Sequence, residues 1–199
     1  LSEITAISSP SDNKTPSYTF SSSEAGSISY QGSCSSSQTS AISGNNTITL
    51  STLSDGIYSN CIIKVTDSGG NIANLDVTTF TIDTTAPVVD SIYPVNSATG
   101  ISPNNVIVVT FNEDMNVSTV QVNTDNSSCS GSSFQVSSDE FSSCEKMSAS
   151  PSVSSAKRIL TVTPASNLSG ETTYKIRITT DVKDLTGNSL ASNYETSTG

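Results

Sequence analysis

The sequence predicts an all-β protein made of two antiparallel β-sandwiches in tandem. Segments in which apolar and polar residues alternate recur along the 199 residues, and a period of two is that of a strand with one buried face. Clusters of Gly, Asn and Ser that favour turns stand between these segments. One pattern, a tyrosine followed by an alternating strand and an acidic turn, occurs twice.

The alternating segments are predicted to be half-buried strands, and the polar clusters between them to be turns. The strands are Ser17–Ser21, Ser27–Tyr30, Thr47–Leu53, Cys61–Asp67, Ile159–Pro164 and Thr173–Thr179. Helices are not expected, because no window of about 11 residues or more combines helical spacing with low β-branching. Short strands with regular turns are typical of a sandwich or barrel.

The repeated pattern indicates two domains. Tyr58 follows a polar turn and leads into the strand that ends at the acidic turn Asp67–Asn71, and Tyr174 leads in the same way to Asp184–Asn188. A tyrosine at the start of a core strand is typical of the tyrosine corner of a β-sandwich.

The stretch Thr81–Ser97 is predicted to join the domains, which would occupy residues 1–85 and 86–199. It completes the last strand of one domain and begins the first strand of the next. Pro87 fixes its own φ and restricts Ala86 to extended conformations, so we expect a stiff crossing.

Each predicted core draws on the apolar positions of its strands. The first consists of Tyr18, Phe20, Ile28, Tyr30, Ile48, Leu50, Leu53, Ile63, Val65, Leu75 and Val77. The second consists of Ile107, Val109, Phe111, Leu160, Val162, Tyr174, Ile176, Ile178 and Leu190.

Composition and charge exclude several classes of function. A net charge of -10 disfavours binding to nucleic acid or to an anionic membrane surface. The absence of His removes the usual general base and the commonest metal ligand. No apolar run reaches the length of a membrane span, so membrane insertion is not expected. The first residues lack the basic and apolar regions of a signal peptide, which suggests a mature or excised chain.

The four cysteines are predicted to form disulfides. Cys34 and Cys61 lie in the first half, and Cys129 and Cys144 in the second. Four cysteines allow three connectivities, and two per half favours pairing within each half. A zinc site would need all four thiolates at spacings unlike those of zinc ribbons. Disulfides imply an oxidising, extracytoplasmic location.

The two halves resemble two kinds of bacterial Ig-like domain. The first, with TPSYTFSSSEAGSISY, LSDGIYSNCIIKVTDSGGN and FTIDTTAP, resembles the Ig-like modules repeated in very large bacterial surface proteins and adhesins. The second, with PVVDSIYPVNSATGISPNNVIVVTFNEDM, LTVTPASNLSGETTYKIRIT and VKDLTGNSLA, is similar to the bacterial Ig-like domain of S-layer proteins. It departs from that pattern in an insert, 123–151, that carries two cysteines. The resemblance implies stalks, spacers and adhesive surfaces, and no catalytic residues.

Motifs that suggest catalysis have simpler interpretations. Ser154–Lys157 matches the Ser-x-x-Lys arrangement of some nucleophilic serines, but such matches arise by chance in a Ser-rich chain. The adjacent carboxylates Glu113–Asp114 and Asp139–Glu140 are expected in solvated turns rather than across a sugar-sized cleft. Lys64, Lys175 and Lys183 could form an isopeptide bond in a sandwich core. This is not expected, because Lys64 and Lys175 alternate with apolar positions and should point outward, and because the disulfides already provide a covalent brace.

Calcium is the one cofactor that the sequence suggests. Asp67, Asn71 and Asp83 could supply the oxygen ligands that this ion prefers, if the ends of the last two strands of the first domain converge. The alternative is an Asx turn and a solvated linker, and no Asp-x-Asp-x-Asp-Gly loop is present.

The sequence therefore predicts a non-enzymatic structural or adhesive segment of a bacterial cell-surface or extracellular protein. It would act as a disulfide-braced stalk or spacer, with adjacent Ig-like domains of the same chain or other subunits as partners. One alternative is a self-assembling filament or S-layer subunit. Another is a module that binds sugar or a host protein, for which Phe134 and Phe141 of the insert are the aromatic residues left outside the predicted core.

Overall fold

The computed structural model describes residues 1–197 and confirms the all-β fold class. The chain forms two compact units, Leu1–Thr85 and Ala86–Gly199. The boundary between them lies within Thr81–Ser97, the stretch predicted to join the domains.

The first unit contains three antiparallel sheets, ordered β1-β2-β5, β4-β3-β7-β8 and β6-β9. The strands are β1 (Ser2–Thr5), β2 (Ser17–Ser22), β3 (Gly26–Gln31), β4 (Ser40–Ala41), β5 (Gly44–Thr49), β6 (Gly56–Tyr58), β7 (Ile62–Asp67), β8 (Ile72–Asp76) and β9 (Phe80–Ile82). Strand β5 begins at Gly44, three residues before the predicted start at Thr47. The Asn46 side chain closes the preceding loop through hydrogen bonds to Ile42.

The core of this unit is close to the predicted one. The predicted residues are buried except Tyr30 and Leu75, which are partly buried against the same cluster. The cluster also contains Ile7, Phe80 and Ile82. Ile7 lies outside any strand, so no alternation marks it in the sequence.

The chain crosses the first unit from one pole to the other. Leu1 lines a cavity of about 250 Å³ together with Ser22, Asp67 and Asn71, which places the start of the chain beside the turn between β7 and β8. Strand β8 runs back from that turn, and after β9 the Thr84 N–H donates to Asp55 at 3.1 Å, just before β6. We call these ends the N-terminal and C-terminal poles.

The second unit contains two antiparallel sheets, ordered β10-β11-β14-β13 and β12-β15-β16. The elements are β10 (Val89–Tyr93), β11 (Ile107–Phe111), a 3₁₀ helix (Val117–Thr119), β12 (Phe134–Ser137), β13 (Ser152–Val153), β14 (Ile159–Val162), β15 (Lys175–Ile178) and β16 (Tyr194–Glu195). The predicted core residues are buried between the sheets, apart from the partly buried Tyr174.

The insert 123–151 is not only a loop, because it contains strand β12. Phe134 pairs with Ile178 of β15 and is 1% exposed, so the prediction that it is free is wrong. The alternation of β12 covers only four residues inside a Ser-rich stretch, so the strand was not predicted from the sequence. Phe141 is half-buried, with the Arg177 guanidinium carbon 3.6 Å from the centre of its ring.

The first and last described residues of the second unit also lie at opposite poles. Val88 exchanges hydrogen bonds with Asn112 at the N-terminal pole, where β10 begins. The Ser197 N–H donates to the Asn96 side chain at 3.1 Å, beyond the far end of β10, and this end is the C-terminal pole of the second unit. Within residues 1–197, no helix is long and apolar enough to cross a membrane.

Candidate functional site

Each unit contains the disulfide predicted from its two cysteines. Cys34 and Cys61 are bonded with Cα atoms 5.2 Å apart, and this bond ties the loop after β3 to the residue before β7 within the core. Cys129 and Cys144 are bonded with Cα atoms 5.1 Å apart and bracket β12. Closing loops of 27 and 15 residues stabilises each unit by about 3 to 4 kcal/mol in the chain-entropy model.

The predicted tyrosine corner is present in the first unit. The Tyr58 hydroxyl donates to the Ser54 carbonyl at 2.9 Å and accepts from the Ser54 N–H at 3.0 Å. The Tyr58 ring stacks on Phe80 with centroids 5.1 Å apart. The hydroxyl therefore fixes the polar turn while the ring extends the core.

The second unit has the corresponding contact. The Tyr174 hydroxyl accepts from the Ser169 N–H at 3.0 Å, just before β15. A tyrosine thus anchors the turn that precedes a central strand in both units.

The turn Asp67–Asn71 is closed by its own carboxylate. Asp67 accepts from the Asn71 backbone N–H at 2.8 Å and from the Asn71 amide at 2.7 Å. The hydrogen bonds from the Asn71 side chain and backbone lower the pKa of Asp67 below its usual value. The carboxylate is therefore charged at neutral pH and shapes the turn.

The equivalent turn of the second unit is closed in the same way but is buried. Asp184 is 1% exposed. Its Oδ1 accepts from the backbone N–H groups of Thr186, Gly187 and Asn188 at 2.7 to 2.9 Å, and its Oδ2 accepts from the Asn188 amide at 2.8 Å. Burial by itself would raise the pKa of Asp184, but the hydrogen bonds from Thr186 and Asn188 outweigh it and hold the pKa below its usual value. These hydrogen bonds to its two oxygens offset the free-energy cost of burying a charged carboxylate.

The predicted calcium ligands do not meet in one place. Asp67 and Asn71 lie together at the N-terminal pole of the first unit. Asp83 follows β9 at the C-terminal pole, where its N–H donates to the Ser11 carbonyl and its carboxylate accepts from the Thr85 N–H. From the end of β7 the chain turns, runs back along the antiparallel β8 and continues through β9. The end of β7 and the residues after β9 therefore lie at opposite poles. Calcium binding by this chain stays a prediction.

The motifs that suggested catalysis have structural roles. Ser154 and Lys157 form the turn between β13 and β14, in which the Ser154 hydroxyl accepts from the Ile159 N–H at 3.2 Å. Its oxygen therefore closes the turn. The Lys157 N–H donates to the Ser154 carbonyl at 2.9 Å.

Three of the four adjacent carboxylates, Asp114, Asp139 and Glu140, lie in ion pairs or turns. Asp114 pairs with Arg158 at 2.7 Å, and Glu140 pairs with Lys175 at 2.6 Å. Asp139 closes its own turn, and the hydrogen bonds from Ser143 and Ser137 lower its pKa to about 2.

The Glu3 carboxylate joins distant segments and was not predicted from the sequence. Glu3 accepts from the Tyr18 hydroxyl at 2.9 Å and from the Thr78 N–H and hydroxyl at 3.1 and 2.8 Å. Burial opposes its ionisation, but the hydrogen bonds from Thr78 and Tyr18 lower its pKa on balance. Thr78 is 75 residues away in sequence, so no local sequence pattern predicts this contact.

The fold and these contacts define the class of protein. Antiparallel sheets enclosing a core, with a disulfide and a tyrosine corner, are typical of immunoglobulin-like β-sandwiches. Residues 83–198 match the family described as bacterial Ig-like domain. The match covers more than half of the chain, which therefore belongs to this family. No curated protein matched the sequence.

Proposed function

We propose that the chain is a non-enzymatic spacer segment of a bacterial cell-surface or extracellular protein, built of two tandem Ig-like modules that are each braced by a disulfide. The observation that carries the proposal is shared by both units. Each has its own core and its own disulfide, and each passes the chain from one pole to the other. A module whose chain ends lie at opposite poles adds its length to the protein that contains it.

The covalent chemistry supports an extracytoplasmic location. Disulfides persist in oxidising compartments and are rare where thiols are kept reduced. All four cysteines are paired, and the net charge of -10 favours solubility over self-association. We expect the isolated chain to sediment as a monomer, whereas a filament or S-layer subunit would form polymers visible by electron microscopy.

The two phenylalanines that suggested an aromatic binding surface are not available to bind a ligand. Phe134 is in the core, and the guanidinium of Arg177 covers the ring of Phe141. The two phenylalanines therefore support packing of the second unit, and a spacer remains the function that the geometry favours.

Surface display tests the proposal. The chain is placed between a surface anchor and a peptide epitope on a bacterial cell, the cells are treated with trypsin, and the remaining epitope is measured by flow cytometry. We expect the chain to protect the epitope, and a variant with all four cysteines changed to Ser to lose it much faster. Loss of about 3 kcal/mol per disulfide raises the unfolded population of each unit by about a hundredfold.

A matched control changes exposed serines next to the disulfides. The double variant Ser33→Ala, Ser130→Ala changes one side chain next to each disulfide and leaves both bonds intact. The epitope should therefore persist as in the unmodified chain. Equal rates of epitope loss with and without the disulfides would contradict the braced spacer.

A further inference from the structure

The second unit has an open cavity of about 410 Å³ at its C-terminal pole. Its floor consists of Ile107, Val136 and Ile176, which come from both sheets and belong to the hydrophobic core. Its walls are the loop between β10 and β11 and the loop between β14 and β15. The volume lies within the range of about 300 to 1,000 Å³ that is usual for small-molecule sites.

Hydrogen bonds fix the two walls. The Leu168 N–H donates to the Pro103 carbonyl at 2.9 Å and so ties one loop to the other. The tyrosine corner at Tyr174 holds the second loop, and the Asn105 N–H donates to the Ser102 carbonyl at 3.0 Å in the first. A ligand would therefore enter a preformed cavity and lose little affinity to the ordering of loops.

The lining defines the chemistry of the ligand. Apolar atoms make up most of the lining surface, and they include those of the Ile101, Pro103 and Leu168 side chains. Glu171 is the one charged residue among the lining residues, and the four ion pairs found within residues 1–197 do not include it. No lysine or arginine lines the cavity as the structure describes it. Together with the net charge of -10, the carboxylate of Glu171 favours a cationic ligand over an anionic one.

We propose that this cavity binds a small amphiphilic amine, whose apolar body lies over Ile107, Val136 and Ile176 and whose ammonium group faces the carboxylate of Glu171. Burial of the apolar body supplies most of the affinity, and the carboxylate supplies the preference for a positive charge. This site is additional to the spacer role and does not depend on it.

Titration of the full isotope-labelled chain with three probes of matched size tests the site by NMR. The probes are 2-phenylethylamine, 2-phenylethanol and phenylacetate. We expect shifts confined to the methyl groups of the cavity floor and to the amides of residues 168–174, with the amine bound about tenfold more tightly than the carboxylate at low salt. The preference should fall in 1 M salt, where the Debye length is about 3 Å.

Two variants separate the contributions of shape and charge. Glu171→Gln should remove most of the preference for the amine and leave the affinity for the alcohol unchanged. Ala98→Phe places a ring in the cavity and should abolish binding of all three probes, while Ala191→Phe, at an exposed alanine away from the cavity, should not. Retained dispersion of the remaining resonances shows that each variant is folded.

Three results would overturn the proposal. They are the absence of shifts at the cavity residues, equal affinity for the amine and the carboxylate, and unchanged binding in the Ala98→Phe variant.

Discussion

Two residue types, a carboxylate and a tyrosine, fix the turns around the central strand of each unit. The carboxylates of Asp67 and Asp184 close the turns after β7 and β15, and the hydroxyls of Tyr58 and Tyr174 anchor the turns before β7 and β15. The two units share this arrangement although their sheets differ in strand number. The repeated pattern in the sequence therefore corresponds to repeated hydrogen bonds.

Asp184→Asn tests the buried carboxylate. The amide that replaces Oδ2 would direct a donor at the donor of Asn188, so we expect the second unit to lose about 2 kcal/mol of unfolding free energy at pH 7. Because the pKa of Asp184 is lower in the folded state, its stabilisation is present above about pH 4 and is lost as the pH falls through the folded pKa. The difference between the variant and the unmodified chain should therefore narrow between pH 7 and pH 3, as measured by hydrogen exchange of the second unit.

The control for this prediction is Asp90→Asn, which changes an exposed aspartate of the same unit. Its effect should stay within about 0.5 kcal/mol at both pH values. A destabilisation by Asp184→Asn that is equal at pH 7 and pH 3 would show that the charge of Asp184 is not what closes the turn.

The tyrosine corners make a quantitative comparison possible. Tyr58→Phe removes two hydrogen bonds with Ser54 and keeps the ring stacked on Phe80, whereas Tyr174→Phe removes one, with Ser169. We expect losses of about 2 and about 1 kcal/mol in the respective units. Hydrogen exchange of the full chain reports both, and the reverse order would contradict the assigned hydrogen bonds.

At the scale of elements, strand β12 converts an apparent loop into part of the core. Its outward residues Gln135 and Ser137 are also buried, because the rest of the insert folds over them. The Gln135 amide donates to the carbonyls of Cys129 and Ser132, so the disulfide and the strand stabilise each other.

Alanine substitutions distinguish the two phenylalanines of the insert. Phe134→Ala creates a cavity in the core and should cost about 3 to 5 kcal/mol. Phe141→Ala removes a surface contact with Arg177 and should cost about 1 kcal/mol. Thermal unfolding of the second unit measures both, and equal effects would show that Phe134 is not a core residue.

The accuracy of the sequence-based prediction follows from how local each signal is. Strands with several alternations, such as β2 and β7, were predicted to within one residue. The cysteine pairing was predicted because two cysteines lie in each half, and the tyrosine corners were predicted from the repeated pattern. Strand β12 was missed because its pattern is short. The contact of Glu3 with Thr78 and the separation of Asp83 from Asp67 depend on how distant strands are arranged, which no local pattern encodes.

At the scale of the whole molecule, the chain consists of two compact units, each with a disulfide of its own. Each has a complete core and a covalent loop of its own, so cooperative unfolding should occur unit by unit. The disulfides also limit how far each unit extends, because residues within a closed loop cannot lengthen until the bond is reduced.

Single-molecule pulling on the chain ends, in oxidising and then in reducing buffer, tests the braced spacer most directly. We expect two separate unfolding events. After reduction, one event should lengthen by about 90 Å and the other by about 50 Å, since bonds that span 27 and 15 residues no longer hold those segments. Extension without force peaks, or lengths that do not change on reduction, would contradict the account.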